Sequence, residues 1–518
     1  MSYEPVIGLE VHVQLLTASK MFCRCPNRFG EPPNTLICPI CLGYPGALPV
    51  VNGRAIDLAV GLALALGCEV NETSVFARKN YFYPDLPKGY QISQHDRPLA
   101  GNGSLPLTGS DKRVGIERLH LEEDAGKLLH ETTRRRSGAP REAPGGTALD
   151  GESLVDFNRC GVPLVEIVSR PEMASAEEAH DYLQTLHRLL LYTGTSDGSM
   201  EEGSLRCDVN VSLRPAGSAL LGKKVEVKNV NSFRYAARAI EHEIERQRAL
   251  LEAGGRVVQE TRAFDAASGA TRATRSKEEA HDYRYFPEPD LPPLVLARER
   301  IEALRRELPE LPWERRARLA ARYGLPADDA RVLTAARELA DYFEAAAAAG
   351  GAGAPASPKE IVNCASPKGI ANWIMGEALR ELRSRRLEPA ELARALPPAR
   401  LAALVAMVEA GRLSASAGKE VFAAVFGSGE EPAAAAGRLG LVQVSDAAEI
   451  GRWVDEVIAG NPGQVEQYRA GKAAVLDHLV GQVMKRSGGR AQPARARQLL
   501  RQALAGEAPV LRARAAAP

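Results

Sequence analysis

An α+β chain is predicted, with a mixed or antiparallel-sheet cradle over residues 1–296, an all-helical segment over 297–412 and a small helical tail over 413–518. Three observations predict it. Up to about Leu296, apolar and polar residues alternate between turns of Gly, Pro and Asn, the period-2 pattern of half-buried strands. Over residues 297–412 Ala, Leu, Arg and Glu recur at helical spacing, with Pro and Gly as stops. Beyond residue 413 the helical pattern resumes in VQVSDAAEIGRWVDEVIAGNPG and GKAAVLDHLVGQVMKRSGGRAQP. A length of 518 residues is ample for three or four domains of about 150 residues each.

Composition narrows the class. Hydrophobic residues at 45% and charged residues at 25% exclude wholesale disorder, collagen and small secreted scaffolds. A formal net charge of +1 excludes a histone-like polybasic binder and confines any nucleic-acid contact to a local patch. Glu4 and Glu10 stand where a signal peptide would be apolar. The longest apolar run, IDLAVGLALALGC, is too short for a membrane span. The expectation is a cytoplasmic protein whose eight Cys are thiols or metal ligands.

In the first strand, Ile7, Leu9, Val11, Val13 and Leu15 share one face, and Glu10, His12 and Gln14 the other. The segment FCRCPNRFGEPPNTLICPICLGYPG follows. Its Cys23-x-Cys25 pair, twelve further residues and the Cys38-Pro-Ile-Cys41 pair put four thiols on turns, the arrangement of a closed, structural tetrahedral zinc site. Cys68, Cys160, Cys207 and Cys364 are isolated on apolar segments and read as small core residues.

In ARKNYFYPDLPKGYQISQ, Lys79, Tyr81, Tyr83, Lys88 and Tyr90 interleave cations with aromatics. Such a composition either stacks a base and holds phosphates or packs as an aromatic loop on the sheet. RLHLEEDAGKL ends a strand with His120, Glu122, Glu123 and Asp124. Adjacent acids of this kind are either solvated or neutralised by a cation.

The stretch TTRRRSGAPREAPGGTALDGES reads as a mobile surface loop, and AAAAAGGAGAPASP from Ala345 as a compositional one. SLRCDVNVSLR turns Arg206, Asp208 and Asn210 to one side, and KKVEVKN turns Glu226 and Lys228 likewise, as an antiparallel hairpin with one polar face. A solvated sheet face is the commoner fate of such strands, yet Asp, Asn, His and Arg packed into few positions suit metal and phosphate chemistry better. In the tail, Lys485, Arg486, Arg490, Arg495, Arg497 and Arg501 form a basic run, which also fits a solvated helix face. A P-loop, a dinucleotide-binding glycine turn and a nucleophile elbow are all absent.

YEPVIGLEVHVQL, the CRC…CPICLGYPGALPVVN stretch, RKNYFYPDLPKGYQISQ, LHLEEDAGK, GSLRCDVNVSLR, KNVNSFR and RSKEEAHDYRYFPEPDLPPL together resemble one family, as do Asn372–Trp373 and VGQVMK. That family is the B subunit of bacterial and organellar tRNA-dependent amidotransferases. The resemblance runs from Tyr3 to about Pro493. It implies a cradle, a helical domain and a helical tail gripping the tRNA elbow. It also implies ATP-dependent phosphorylation of the side-chain carboxylate of Glu or Asp misacylated onto tRNA(Gln) or tRNA(Asn). Ammonia from a glutaminase A subunit then displaces phosphate, within a complex that includes a C subunit.

On that implication Glu10, His12 and Glu123 form the Mg²⁺ shell, completed by Asp208 or Glu202. His12 acts through water or orients a ligand, because hard cations prefer oxygen. Arg206 and Lys228 face the phosphate or the aminoacyl carboxyl. Lys79, Tyr81, Tyr83 and Lys88 meet ATP or the terminal adenosine of the tRNA, and Cys23, Cys25, Cys38 and Cys41 hold zinc. The competing class is a catalytically silent RNA-binding scaffold stapled by zinc.

Overall fold

A computed structural model describes residues 2–130, 153–276, 280–351, 364–444 and 446–505. The chain divides into two compact units, Met1–Glu314 and Arg315–Pro518.

The first unit is built on a nine-stranded sheet. Its strands are β1 (Tyr3–Gln14), β2 (Glu69–Val70), β3 (Ala100–Pro106), β4 (Arg113–Glu123), β5 (Pro163–Ser169), β6 (Leu205–Pro215), β7 (Val225–Val230), β8 (Glu260–Asp265) and β9 (Ala270–Ser276). Their order across the sheet is β9-β8-β7-β6-β1-β5-β4-β3-β2. The pairing of β7 with β8 is parallel and the others are antiparallel, so the sheet is mixed. The expected hairpin of β6 and β7 forms with Val209 opposite Val227.

Alternation decides which face is covered. Leu9, Val11, Leu121, Val165, Val209 and Val227 all point into one apolar core. Helices α1 (Gly53–Ala65), α2 (Ala176–Thr193) and α3 (Phe233–Glu252) pack against it. The start of α2 is fixed by Ser175, whose hydroxyl accepts from the Glu178 amide, and its end by Gly194 in the left-handed region at φ 63°. Ile301 of α4 (Arg298–Glu307) joins the same core. The opposite, polar face of β1, β4, β5, β6 and β7 is left for chemistry.

The second unit is helical and holds two apolar cores. One gathers Arg337–Ala349, Pro398–Glu409 and Ala415–Val425; the other gathers Ala447–Gly460, Val475–Arg486 and Pro493–Leu504. The alanine run expected as a loop from Ala345 instead continues a helix to Ala349, as alanine's high propensity favours. Residues 352–363 and the Arg-rich stretch 131–152 lie outside the described residues. No helix among the described residues is long and apolar enough to cross a membrane.

Candidate active site and cysteine cluster

Cross-strand register sets the polar face. His12 of β1 lies opposite Arg206 of β6 on one side and Glu166 of β5 on the other, and Glu166 lies opposite His120 of β4. His12 Nδ1 is 3.0 Å from Glu122 Oε1 and 3.9 Å from Glu166 Oε2. His120 Nε2 reaches Glu166 at 3.3 Å and Glu122 at 3.8 Å. One ligand atom from each of His12, Glu122 and Glu166 can be chosen so that all lie within 4.8 Å of one another, a grouping able to hold a metal ion.

Burial makes these charges act strongly on one another. It disfavours a charged imidazole, but Glu166 and Glu122 outweigh it and push His12 up to about 9. Burial would likewise raise Glu166, yet His120 and His12 bring it down to about 2. Glu122 is held well below the ordinary carboxylate range by His12 and His120 against the same desolvation. His120 Nδ1 is buried and has no hydrogen-bond partner among the described residues.

Beside this group lies a second. Asn210 Nδ2 donates to Glu10 Oε1 at 2.9 Å, Lys228 Nζ to Asp208 at 2.7 Å, and Thr261 Oγ1 to Glu226 at 2.8 Å. Desolvation of Lys228 is overcome by Asp208 and Glu226, which raise its pKa. Asp124 accepts from Arg206 at 2.9 Å and Gln14 at 3.0 Å, and so aims the guanidinium along the sheet. Arg118 Nη2 stands 4.0 Å from Glu166, with its Nε buried and unpartnered among the described residues.

The short strands Ala77–Asn80, Tyr90–Ser93 and Phe286–Pro287 form a separate small sheet. Lys79 Nζ sits 4.8 Å from the Tyr283 ring centre and 5.8 Å from that of Tyr81. Tyr81 and Tyr83 meet edge to face at 5.9 Å. His95 stacks on Tyr285 at 4.1 Å.

Cys23, Cys25, Cys38 and Cys41 are free thiols whose sulfurs all lie within 4.8 Å of one another, a second grouping able to hold a metal ion. The Cys38 amide donates to Cys41 Sγ at 3.1 Å. A hydrogen bond from Cys23, the Cys38 amide and the charge of Lys20 together lower Cys41 to about 5 against its burial. Burial pushes Cys25 up to about 11.

Comparison with known proteins decides the family. Residues 5–302 match the GatB/GatE catalytic domain, and residues 359–504 match the GatB domain. The B subunit of the aspartyl/glutamyl-tRNA(Asn/Gln) amidotransferase of Geobacter sulfurreducens is 51% identical over 508 residues, covering 98% of this chain and 100% of the relative. Its namesake in Oleidesulfovibrio alaskensis is 52% identical over 494 residues, 95% of this chain and 97% of the relative. That of Thermosynechococcus vestitus is 50% identical over 511 residues, 97% of each chain.

The chain belongs to the family of amidotransferase B subunits. Its activity class is that of an amide-forming ligase, with glutamine as the amide donor.

In this member of the family the residues singled out from sequence do not all converge. Glu10, His12, Asp208, Arg206 and Lys228 share the polar face. Glu123, expected in the same metal shell, follows Glu122 on β4 and so points off the other side, where it accepts from Lys88 and from the Ile92 amide at 3.0 Å. Glu202 is exposed in the turn before β6. Lys79, Tyr81 and Tyr83 stay together, whereas Lys88, still near Tyr83, gives its ammonium to Glu123 and lines a cavity of about 300 Å³ with Phe22, Cys41, Tyr44 and Tyr90.

Sequence reasoning did not single out Glu166, Arg118 or the contact of Glu122 with His12. The available signals were the lone acid inside the apolar run PLVEIVS and the even spacing of Arg118, His120 and Glu122. Cys68, Cys160 and Cys207 are buried, while Cys364 is half-buried.

Proposed function

We propose that the polar face of the first unit phosphorylates the side-chain carboxylate of Glu or Asp misacylated onto tRNA(Gln) or tRNA(Asn), using ATP, and then amidates it. The observation that carries the proposal is the buried grouping of His12, Glu122 and Glu166, with Arg206 and Lys228 on neighbouring strands. Phosphoryl transfer asks for positioning and charge neutralisation more than covalent catalysis, and this face supplies both signs of charge.

The donor set fits Mg²⁺ through the Glu122 and Glu166 oxygens, with Glu10 and Asp208 near at hand; His12 fits as a residue that orients a ligand or acts through water. A magnesium ion held there would supply charge neutralisation on the triphosphate. Arg206 and Lys228 bind phosphate oxygens, and Asp124 keeps Arg206 aimed. Lys79, Tyr81 and Tyr83 offer rings and a cation to the adenine of ATP or the terminal adenosine of the tRNA. The substrate carboxylate oxygen bonds to the γ-phosphorus as ADP leaves. Ammonia nitrogen then bonds to the acyl carbon as phosphate leaves.

The four cysteines fit zinc: their number, spacing and mutual distances match a closed tetrathiolate site with a structural role. Ammonia would come from a glutaminase A subunit, and a C subunit would complete the complex, working in the cytoplasm. The tail, 413–518, would contact the tRNA through its exposed basic residues.

The test is ATP cleavage by the chain assembled with its A and C partners, with and without Glu-tRNA(Gln). Cleavage dependent on charged tRNA, and a Glu122→Gln variant slowed about a hundredfold or more with tRNA affinity unchanged, is expected. Equal cleavage with uncharged tRNA, or full activity in the variant, would return the chain to the scaffold reading.

A further inference from the structure

Lys20 is fully buried, an unusual place for an ammonium. Its Nζ donates to the Leu36 carbonyl at 2.7 Å and to Cys41 Sγ at 3.9 Å. A neutral carbonyl alone does not compensate a buried cation. Glu123, whose carboxylate also lies beside Gly161, is already engaged by Lys88 and by the Ile92 amide.

Gly161 is the point where these groups meet. A Cβ there would lie 3.6 Å from Lys20 Cδ, 3.6 Å from Cys41 Cβ and 3.8 Å from Glu123 Oε2. These are ordinary contact distances, so it is the φ of +81° that calls for glycine there.

Four thiolates around one zinc(II) carry a net charge of about −2, and at Cys41, the buried one of the four, this charge needs a partner. We infer that Lys20 is the counter-ion of the metal-loaded cysteine cluster: a positioning residue that offsets this charge at Cys41 and makes that sulfur a poorer donor of electrons. The inference rests on the zinc reading proposed above. It gives a role to a buried cation that the amidation chemistry does not use.

The experiment uses the full chain, reduced and purified with its metal. Zinc content is measured first, then the rate of zinc transfer to a chromophoric chelator, and then the sulfur-to-metal charge-transfer band after replacement by cobalt(II). Lys20→Met is expected to lose zinc about 10- to 100-fold faster and to shift the cobalt band to lower energy, because the sulfur is richer in electrons. Lys20→Arg is expected to stay near wild type in both. A role in packing alone would hasten loss without moving the band.

If Lys20→Met does not fold, Lys20→Gln, which keeps a neutral donor of similar length, decides the matter. Wild-type rates and an unmoved band in the folded variant overturn the counter-ion. A reduced wild type that holds neither zinc nor cobalt overturns the zinc reading and the inference together.

Discussion

At the scale of single residues, the active face is a set of charges that fix one another. His12 is charged at neutral pH because Glu122 and Glu166 outweigh its burial. Removing one carboxylate leaves the desolvation in place. In the metal-free protein, Glu166→Gln is therefore expected to bring His12 down from about 9 toward or below its usual 6.5, read by histidine NMR titration. An unmoved titration would mean that Glu166 does not govern the imidazole. Much of this face is legible in sequence, since the alternation of residues 7–15 already puts Glu10 and His12 together. The choice between Glu122 and Glu123 is not, because both stay in the strand register and the choice depends on which face each of the two consecutive acids takes. Nor is Lys20, which stands between Ser19 and Met21 with nothing local to mark it as buried.

At the scale of elements, α3 is held to the sheet by a buried carboxylate. Glu243 is fully buried, accepts from Arg246 at 3.0 Å and from the Thr271 hydroxyl, and forms an ion pair with Arg262 at 3.1 Å. Burial alone would raise its pKa, but Arg246 and Thr271 bring it below the ordinary 4.5. The stabilisation is complete above the unfolded-state value near 4.5 and fades as pH falls toward the lower folded value. Glu243→Gln is expected to cost about 3–5 kcal/mol at pH 7, and to flatten the loss of stability below pH 5 seen by urea unfolding. A variant as acid-sensitive as wild type would show that other carboxylates dominate. The strands and their faces follow from period-2 patterning, whereas the partner that β7 chooses in parallel, β8, arrives only after the whole of α3 and no local pattern announces it.

At the scale of the whole molecule, the balanced net charge conceals an uneven distribution. Arg486 pairs with Glu456 and Arg497 with Asp477, while Lys485 and Arg501 are exposed on the last two helices. If these contact tRNA, reversing both to Glu lowers tRNA affinity and reduces the magnitude of the salt slope by up to about 0.9 per lost phosphate contact. ATP cleavage at saturating tRNA should be unaffected; unchanged affinity would remove the tail from the tRNA interface. The placement of Glu122 and Glu123 on opposite sides of β4 has a further reach. Deleting or inserting one residue upstream within this strand exchanges their directions, sending one acid's charge away from the histidines and the other's away from Lys88 in the same event. A two-residue change keeps both. Length variation in β4 is thus restricted to even steps, and two separate centres share a single reading frame.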